Sequence, residues 1–356
     1  MSLRVVQWTT GNVGRKSLRA IAQHPDLELV GCFAHAKEKV GRDAGELAGI
    51  AKLGVAASDD VEALIALAPD CVSYNPQWPD VDLMERLLEA GINVVTTAAF
   101  ITGRALGARE RLEAAARRGG ASLFGSGMNP GFANLLGLVS AGICDRVDRI
   151  TVTESVDATG YASEQTQRSV GFGHPVTLPG LHERVETGTA VFGDAVDMMA
   201  DALGVRLDDT RCDSEFAVAT QDMDLGFMEI AEGCVAGVRA SWHGLCAGRS
   251  VVELAVAWKM GRHMEPDWPL EHGYLVRVEG SPEVRTRLEI RPPAGFAATG
   301  PEDFMGLGMV MTALPAVNAI AATCAAEAGI RSYSDLPLVT ARGRVGLVAG
   351  DGRMPA

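Results

Sequence analysis

The stretch Arg4-Val5-Val6-Gln7-Trp8-Thr9-Thr10-Gly11-Asn12-Val13-Gly14-Arg15 decides the fold. A short apolar strand runs into a turn with two glycines and then into a helical pattern. That order suits a dinucleotide pyrophosphate, because close-packed glycines let backbone N–H groups reach the phosphates at the positive end of a helix dipole. Against the three-glycine fingerprint of such turns the first glycine is absent, and Trp8 holds its place.

Working outward, the first 140 residues alternate strand and helix signals, which implies parallel strands in a doubly wound sheet. The spacing predicts a helix from Val13 to Gln23, a strand from Leu27 to Ala34 and a short strand at Val55-Ala56. A helix from Asp59 to Leu67, capped by Ser58, follows. Further strands are expected at Asp70–Tyr74, Ile92–Thr97 and Ala121–Phe124, with helices at Val81–Ala90 and Arg104–Arg118 between them. Beyond Asp145 the period changes to two, as in Arg149–Ser155, Gly233–Trp242, Val251–Trp258 and Tyr274–Val278. Such alternation marks an open, largely antiparallel sheet with one polar face. The expected class is therefore α/β, a Rossmann-type doubly wound sheet joined to an α+β domain. Residues 1–145 would bind the dinucleotide, and 146–303 the substrate and a second copy. A helical segment, 304–356, would pack back on the first domain.

Composition narrows the function. The 356 residues carry a net charge of −13, which gives no electrostatic reason to bind nucleic acid or an anionic membrane. Seven scattered cysteines with no C-x-x-C pair read as a reducing compartment, and the start lacks a signal-peptide pattern, so a cytoplasmic protein is expected. The uncharged run Phe304–Ala326 has the length of a membrane span, but Pro315 and Asn318 interrupt it and a core helix is expected. No histidine or cysteine spacing suggests a metal site.

In parallel sheets ligands sit outside the carboxyl ends of the strands. The first strand end offers Thr9, Thr10, Gly11, Asn12, Val13, Gly14 and Arg15 to a pyrophosphate. The second ends in Ala34-His35-Ala36-Lys37-Glu38-Lys39, with no acid where a ribose 2′-hydroxyl would be bound. Lys37, Lys39, Arg42 and Arg15 could offset a 2′-phosphate, and His35 at the same strand end is also expected to bind the cofactor. NADP is the expected cofactor, with NAD as the alternative. Tyr74, Asn75, Thr97, Ala98 and Asn129 lie at later strand ends suited to the nicotinamide. Met198, Met199, Met260 and Met264 could line an adaptable pocket or simply fill a core.

The first 140 residues resemble the amino-terminal domain of dihydrodipicolinate reductase, with its threonine pair and asparagine-containing loop. Over nearly its whole length the chain is similar to 2,4-diaminopentanoate dehydrogenase and the native amine dehydrogenases. The resemblance rests on four stretches: Glu38–Leu47, Gly127-Met128-Asn129-Pro130-Gly131-Phe132, Asp222-Met223-Asp224 with Gly233–Gly237, and Met311–Ile320, which contains Asn318. It implies a nicotinamide-dependent enzyme acting on a small amine or imine, dimeric through the second domain, with Asn318 among the cofactor-binding residues.

Two departures matter. Where dihydrodipicolinate reductases carry paired histidines and a lysine, this chain reads Glu154-Ser155-Val156-Asp157-Ala158-Thr159-Gly160-Tyr161-Ala162-Ser163-Glu164, and that reaction is not expected. Amine dehydrogenases of this type place a glutamate just after the threonine pair; here Ala98, Ala99 and Phe100 stand there, and none can move a proton. Imine formation needs a base and an acid, each worth about 10² to 10⁴ in rate. Asp157, Tyr161, Glu164, His174 and His182 lie in the segment that could supply them. His174, Tyr161 and Glu164 are the expected catalytic residues, His174 first because it titrates near neutrality and has glycines at 171 and 173. Without such a group the chain would be a cofactor-binding sensor or scaffold, or a carbonyl or imine reductase that does not use ammonia.

Overall fold

A computed structural model describes residues 2–297 and 300–345, the side chains of Pro301 and Glu302 excepted. Two compact units emerge: one from residues 1–100, 107–127 and 310 onward, the other from 101–106 and 128–309.

The first unit opens with β1 (Leu3–Trp8) and α1 (Asn12–Ala22), then β2 (Leu27–Phe33), α2 (Ala44–Ala48), β3 (Ala57–Ser58) and α3 (Val61–Ala66). It continues through β4 (Cys71–Tyr74), α4 (Val81–Glu89), β5 (Asn93–Thr96), α5 (Arg109–Gly119) and β6 (Ser122–Gly125). A strand from the far end of the chain, Gly329–Arg331, completes a seven-stranded parallel sheet on the outer side of β6. From that strand inward the order is β6-β5-β4-β1-β2-β3. The break in order beside β1 makes the sheet doubly wound, with two separate cores. Val6, Trp8, Val72 and Val94 pack with α4 and α5, whereas Cys32 and Ala34 pack with Leu18 of α1 and Leu47 of α2. Trp8 lies fully in the first core, stacked on Phe33 with centroids 4.3 Å apart. An indole takes the place of the expected glycine because the strand is still buried there.

In the first unit three boundaries differ from the sequence reading by more than one residue. The third strand is Ala57–Ser58, not Val55-Ala56: Cys32 and Phe33 pair with 57 and 58, and Ala56 instead bridges Asp43. The helix after it starts at Val61, capped by Asp60, whose Oδ1 accepts the Ala63 N–H at 3.0 Å, while Ser58 Oγ accepts from the Asp60 N–H. The helix expected from Arg104 starts at Arg109, because the backbone of 101–104 is bound elsewhere and Gly107 has φ +62°.

The second unit contains α6 (Ala133–Ala141), β7 (Arg146–Asp157), α7 (Glu164–Ser169), α8 (Leu181–Gly188), α9 (Ala190–Ala202) and β8 (Asp209–Ala219). After a small hairpin of β9 (Met223–Asp224) and β10 (Glu229–Ile230) come β11 (Val235–Cys246), β12 (Arg249–Lys259), β13 (Met264–Glu265), β14 (Gly273–Ser281) and β15 (Val284–Leu288). The sheet order is β13-β8-β11-β12-β7-β14-β15, antiparallel except where β12 and β7 run parallel. Helices α6 and α9 cover one face, to which Ile150, Val152, Leu254 and Val278 contribute buried side chains. Met198, Met199, Met260 and Met264 are all buried, so they fill a core.

The contact between α9 and the sheet is close. A Cβ added at Gly193 would lie 2.5 Å from the Trp242 ring, which cannot retreat because its Nε1 donates to Thr189 Oγ1 at 2.9 Å. Gly193→Ala is expected to cost about 1–3 kcal/mol by overpacking, read as a lower urea midpoint with an unchanged slope.

The apolar helix Pro301–Ala325 forms as expected and has the length and composition of a membrane span. It buries one face only, through Met309, Ala313, Ala316, Val317 and Ile320, while Phe304 is 50% and Val310 38% exposed. Residues 346–356, the tail of the segment expected to pack on the first domain, lie outside the described residues.

Candidate functional site

At the end of β1, Thr9 takes φ +75°, a left-handed turn that an L side chain rarely adopts. Gln7, fully buried, holds it: its Nε2 donates to the Trp8 carbonyl (3.1 Å), the Thr9 carbonyl (3.0 Å) and Asn75 Oδ1 (2.8 Å). Asn75 Nδ2 donates in turn to Thr97 Oγ1 at 2.8 Å. One chain of hydrogen bonds therefore ties the carboxyl ends of β1, β4 and β5, bringing Thr9, Asn75 and Thr97 together. Gln7 was not read as a site residue, because it looks like a strand residue and its partner Asn75 lies 68 positions away.

Helix α1 begins right behind this turn. A Cβ on Gly14 would sit 2.4 Å from the Thr9 carbonyl oxygen, so only glycine lets the helix come so near. Gly11, the N-cap residue, provides no side-chain cap, the first turn has no acid, and a Cβ built on Gly11 would meet nothing within 4 Å. Thr9 Oγ1 is buried without a hydrogen-bond partner. An uncapped helix N-terminus opening on empty space, beside an unused hydroxyl, has the chemistry to receive an anionic group such as a phosphate.

At the end of β2, His35 packs edge-on against Phe33 with centroids 4.7 Å apart. Lys37 is paired with Asp59, whereas Lys39 Nζ reaches back to the Thr10 carbonyl at 3.2 Å. Arg15 donates to Asn12 Oδ1 at 3.1 Å. Tyr74 is buried with its hydroxyl accepting the Asp80 N–H at 3.0 Å, and the Ala98 N–H is donated to Thr96 Oγ1 at 3.0 Å. Asn318 Oδ1 accepts from Arg344 at 2.7 Å, which engages it in fastening the end of the described chain to this unit. Ala98 and Phe100 are buried, and no ionisable group stands between Thr97 and Phe100.

In the second unit the expected catalytic residues each contact their own segment. His174 Nε2 lies 3.2 Å from the Arg168 carbonyl, and burial, then Arg184, lowers its pKa. Glu164 pairs with Arg168 one turn on at 2.7 Å. Tyr161 is 41% exposed, and its carbonyl accepts from Gln167 Nε2 at 3.0 Å. His182 Nδ1 is 2.6 Å from Ser214 Oγ, and Asp157 Oδ1 accepts the Thr159 N–H at 2.9 Å.

Asn129 is placed differently. Its Nδ2 donates to Glu154 Oε2 at 2.6 Å, while its Oδ1 is buried without a partner. Glu154 lies in β7 opposite Tyr274 of β14, and the Trp258 indole also hydrogen-bonds to it. Desolvation pushes the Glu154 carboxyl above its ordinary range, against the Asn129 and Trp258 hydrogen bonds that favour its charged form. Sequence reading passed over Glu154 as one residue of an alternating strand.

The comparisons with known proteins agree with this architecture. A family model described as 2,4-diaminopentanoate dehydrogenase C-terminal domain matches residues 133–344, and one described as dihydrodipicolinate reductase, N-terminus, matches 5–122. An amine dehydrogenase of Streptomyces virginiae is 33% identical over 367 residues, covering 97% of this chain and 99% of the relative. A 4-hydroxy-tetrahydrodipicolinate reductase of Neisseria meningitidis serogroup B is 34% identical over 98 residues, 27% of this chain and 36% of that protein. The solved amine dehydrogenase of Mycobacterium smegmatis shares the fold, with a TM-score of 0.78 at 20% identity over 96% of this chain and 98% of that one. With its nucleotide-binding turn and two-unit build, the chain belongs to the amine dehydrogenase family with a 2,4-diaminopentanoate dehydrogenase C-terminal domain, and it is a nicotinamide-dependent oxidoreductase.

Proposed function

We propose that the protein is an NADP-preferring amine dehydrogenase, moving a hydride between the nicotinamide and a carbon that is a small amine in one state and an imine in the other. The observation that carries this reading is the 33% identity to an amine dehydrogenase over 97% of the chain. When bound, the reduced cofactor supplies the hydride. The chain's own part is to seat the pyrophosphate on Gly11–Gly14, to hold the Thr9 turn through Gln7 and to position the reacting carbon.

The cofactor preference rests on the loop after β2. Phe33-Ala34-His35-Ala36 offers no carboxylate to a 2′-hydroxyl, and Lys39, unlike Lys37, is turned toward the pyrophosphate turn. Lys39→Ala is expected to weaken NADPH binding roughly tenfold, the loss of one charge-assisted hydrogen bond, and to leave NADH binding unchanged. Fluorescence titration of both reduced cofactors measures this, and tighter binding of NADH by the unaltered protein would refute the preference.

The Ala98-Ala99-Phe100 sequence favours a second reading, a carbonyl or imine reductase that does not use ammonia. Consumption of reduced cofactor across small ketones, with and without ammonium, and then across preformed imines separates the two. Ammonium-dependent turnover supports the first reading, and ketone reduction indifferent to ammonium supports the second. We further propose a cytoplasmic homodimer joined through the sheet face of the second unit that carries Thr153, Ser155, Ser241 and Glu253. Light scattering after size exclusion should give twice the chain mass.

A further inference from the structure

Two of the free cysteines lie side by side in the first unit, Cys71 at the amino end of β4 and Cys324 in the last turn of the helix Pro301–Ala325. We propose that they form a site of reversible oxidation, at which a small peroxide enters on Cys324 and the pair closes to a disulfide that staples this helix to the parallel sheet.

The geometry brings the two sulfurs together. Cys324 Sγ donates to the Asp70 carbonyl at 3.7 Å, and that carbonyl belongs to the peptide bond leading into Cys71. The Cys71 and Cys324 thiols are also within hydrogen-bond reach of one another. Asp70 and Cys324 are 254 positions apart, so it is the docking of the helix on the sheet that makes the pair. An S–S bond is about 2 Å long, and thiols already in contact close it by side-chain rotation and a small movement of the last helical turn, where helices fray. Cys144 and Cys212 donate instead to the Pro282 and Asp213 carbonyls.

Unequal access sets the order of events. Cys71 is fully buried, whereas Cys324 is half-buried, one residue beyond the buried Thr323 and one turn beyond the buried Ile320. An oxidant arriving from solvent therefore meets Cys324 first. Burial pushes the Cys71 thiol well above its ordinary range, and the adjoining Cys324 adds to this, so Cys71 stays protonated and inert toward peroxide. Its part is to resolve an oxidised neighbour. A sulfenic acid held against a second thiol condenses to a disulfide, which keeps it from the irreversible steps beyond.

The steps balance. The Cys324 sulfur attacks one peroxide oxygen, the O–O bond breaks, and the departing hydroxide takes the thiol proton to leave as water. Cys324 is then a sulfenic acid. The Cys71 sulfur attacks the Cys324 sulfur, the S–O bond breaks, and the second hydroxide leaves as water with the Cys71 proton. Over both steps each sulfur loses one electron and each peroxide oxygen gains one. A dithiol reductant restores both thiols by exchange.

The bond has a structural consequence. It ties the end of the helix, just before the edge strand Gly329–Arg331, to the central strand of the seven. A cross-link that closes so long a loop restricts the unfolded chain, and the oxidised protein should melt at least about 4 °C above the reduced one.

The test uses the whole unaltered protein, fully reduced and then exposed to a small molar excess of hydrogen peroxide. Remaining thiols are blocked with N-ethylmaleimide after denaturation, and the protein is digested without reductant and mapped by mass spectrometry. The expected product is a linked Cys71–Cys324 peptide that dithiothreitol separates, with Cys32, fully buried and pushed up to about 12 by burial, still blocked as a thiol. Cys324 recovered as a free thiol, stopped at sulfinic acid or joined to a cysteine other than Cys71 overturns the proposal. An oxidised form that melts no higher than the reduced one overturns the staple.

Two variants test the order of events. In Cys71→Ala no thiol is left to resolve the intermediate, so the Cys324 sulfenic acid should accumulate and be trapped by dimedone. In Cys324→Ser the same dose of peroxide should leave Cys71 reduced. Absence of the dimedone adduct at Cys324, or oxidation of Cys71 in the serine variant, overturns the assigned roles.

Discussion

Gly14→Ala is expected to weaken binding of the reduced cofactor by at least about a hundredfold. The added carbon would stand 2.4 Å from the Thr9 carbonyl oxygen and 2.9 Å from its carbon, backbone atoms that have no free direction of retreat. Thr9 is fixed in its left-handed turn by Gln7, itself buried and bound to Asn75, so relief must come from tilting the start of α1 or breaking the Gln7 network. Either change moves the backbone N–H groups at the start of α1 that are proposed to bind the pyrophosphate. Losing two hydrogen bonds to a charged group at about 1.5–3 kcal/mol each gives the stated factor. Fluorescence titration with NADPH measures it. Gly11→Ala is the control: its new carbon meets no protein atom within 4 Å, so any lost affinity there reports contact with the cofactor, with stability unchanged.

The second large effect concerns stability. Asp194 of α9 is buried and accepts from the N–H groups of Ile101 (3.3 Å), Thr102 (2.7 Å), Gly103 (2.9 Å) and Arg104 (3.3 Å). The Thr102 hydroxyl donates to it as well. One carboxylate thus replaces the helical pairing that this segment would otherwise seek, and α5 begins only at Arg109. Asp194→Ala would leave at least three buried N–H groups without an acceptor, at about 1–3 kcal/mol each. The expected loss is on the order of 3–6 kcal/mol, or a fall of roughly 10 °C or more in the melting temperature. Asp194→Asn keeps one acceptor oxygen but turns an NH₂ toward N–H donors, so its melting point should fall between those of Asp194→Ala and the unaltered protein. Calorimetry of the three proteins checks the order; equal melting points would show that the segment is held by something else.

The parts of the molecule that could be read from sequence are those set by short-range chemistry. The short apolar strand that runs into the glycine turn at Thr9–Gly14 announces both β1 and the start of α1. The misplaced elements are those decided at long range. The β3 pairing is two residues long and its register depends on where Cys32 and Phe33 lie. The Arg104–Arg118 run has helical composition throughout, but its first residues are captured by a carboxylate some 90 positions away. The strand Gly329–Arg331 is three residues long and exists only because β6 offers it an edge 207 positions earlier. The surroundings of Glu154 were illegible for the same reason, since its neighbours come from positions 129, 258 and 274, whereas His174 stands out by type and its carbonyl neighbour lies only six residues away.

The central claim, that this chain joins nitrogen to a carbonyl carbon and delivers a hydride to the same carbon, is tested most directly by a double-label experiment. The protein is incubated with a small ketone, nitrogen-15 ammonium and reduced NADP carrying deuterium at the transferred position, and the product is analysed by mass spectrometry. The account predicts an amine bearing both labels on one carbon. A deuterated alcohol without the nitrogen label would contradict it and would make the protein a carbonyl reductase.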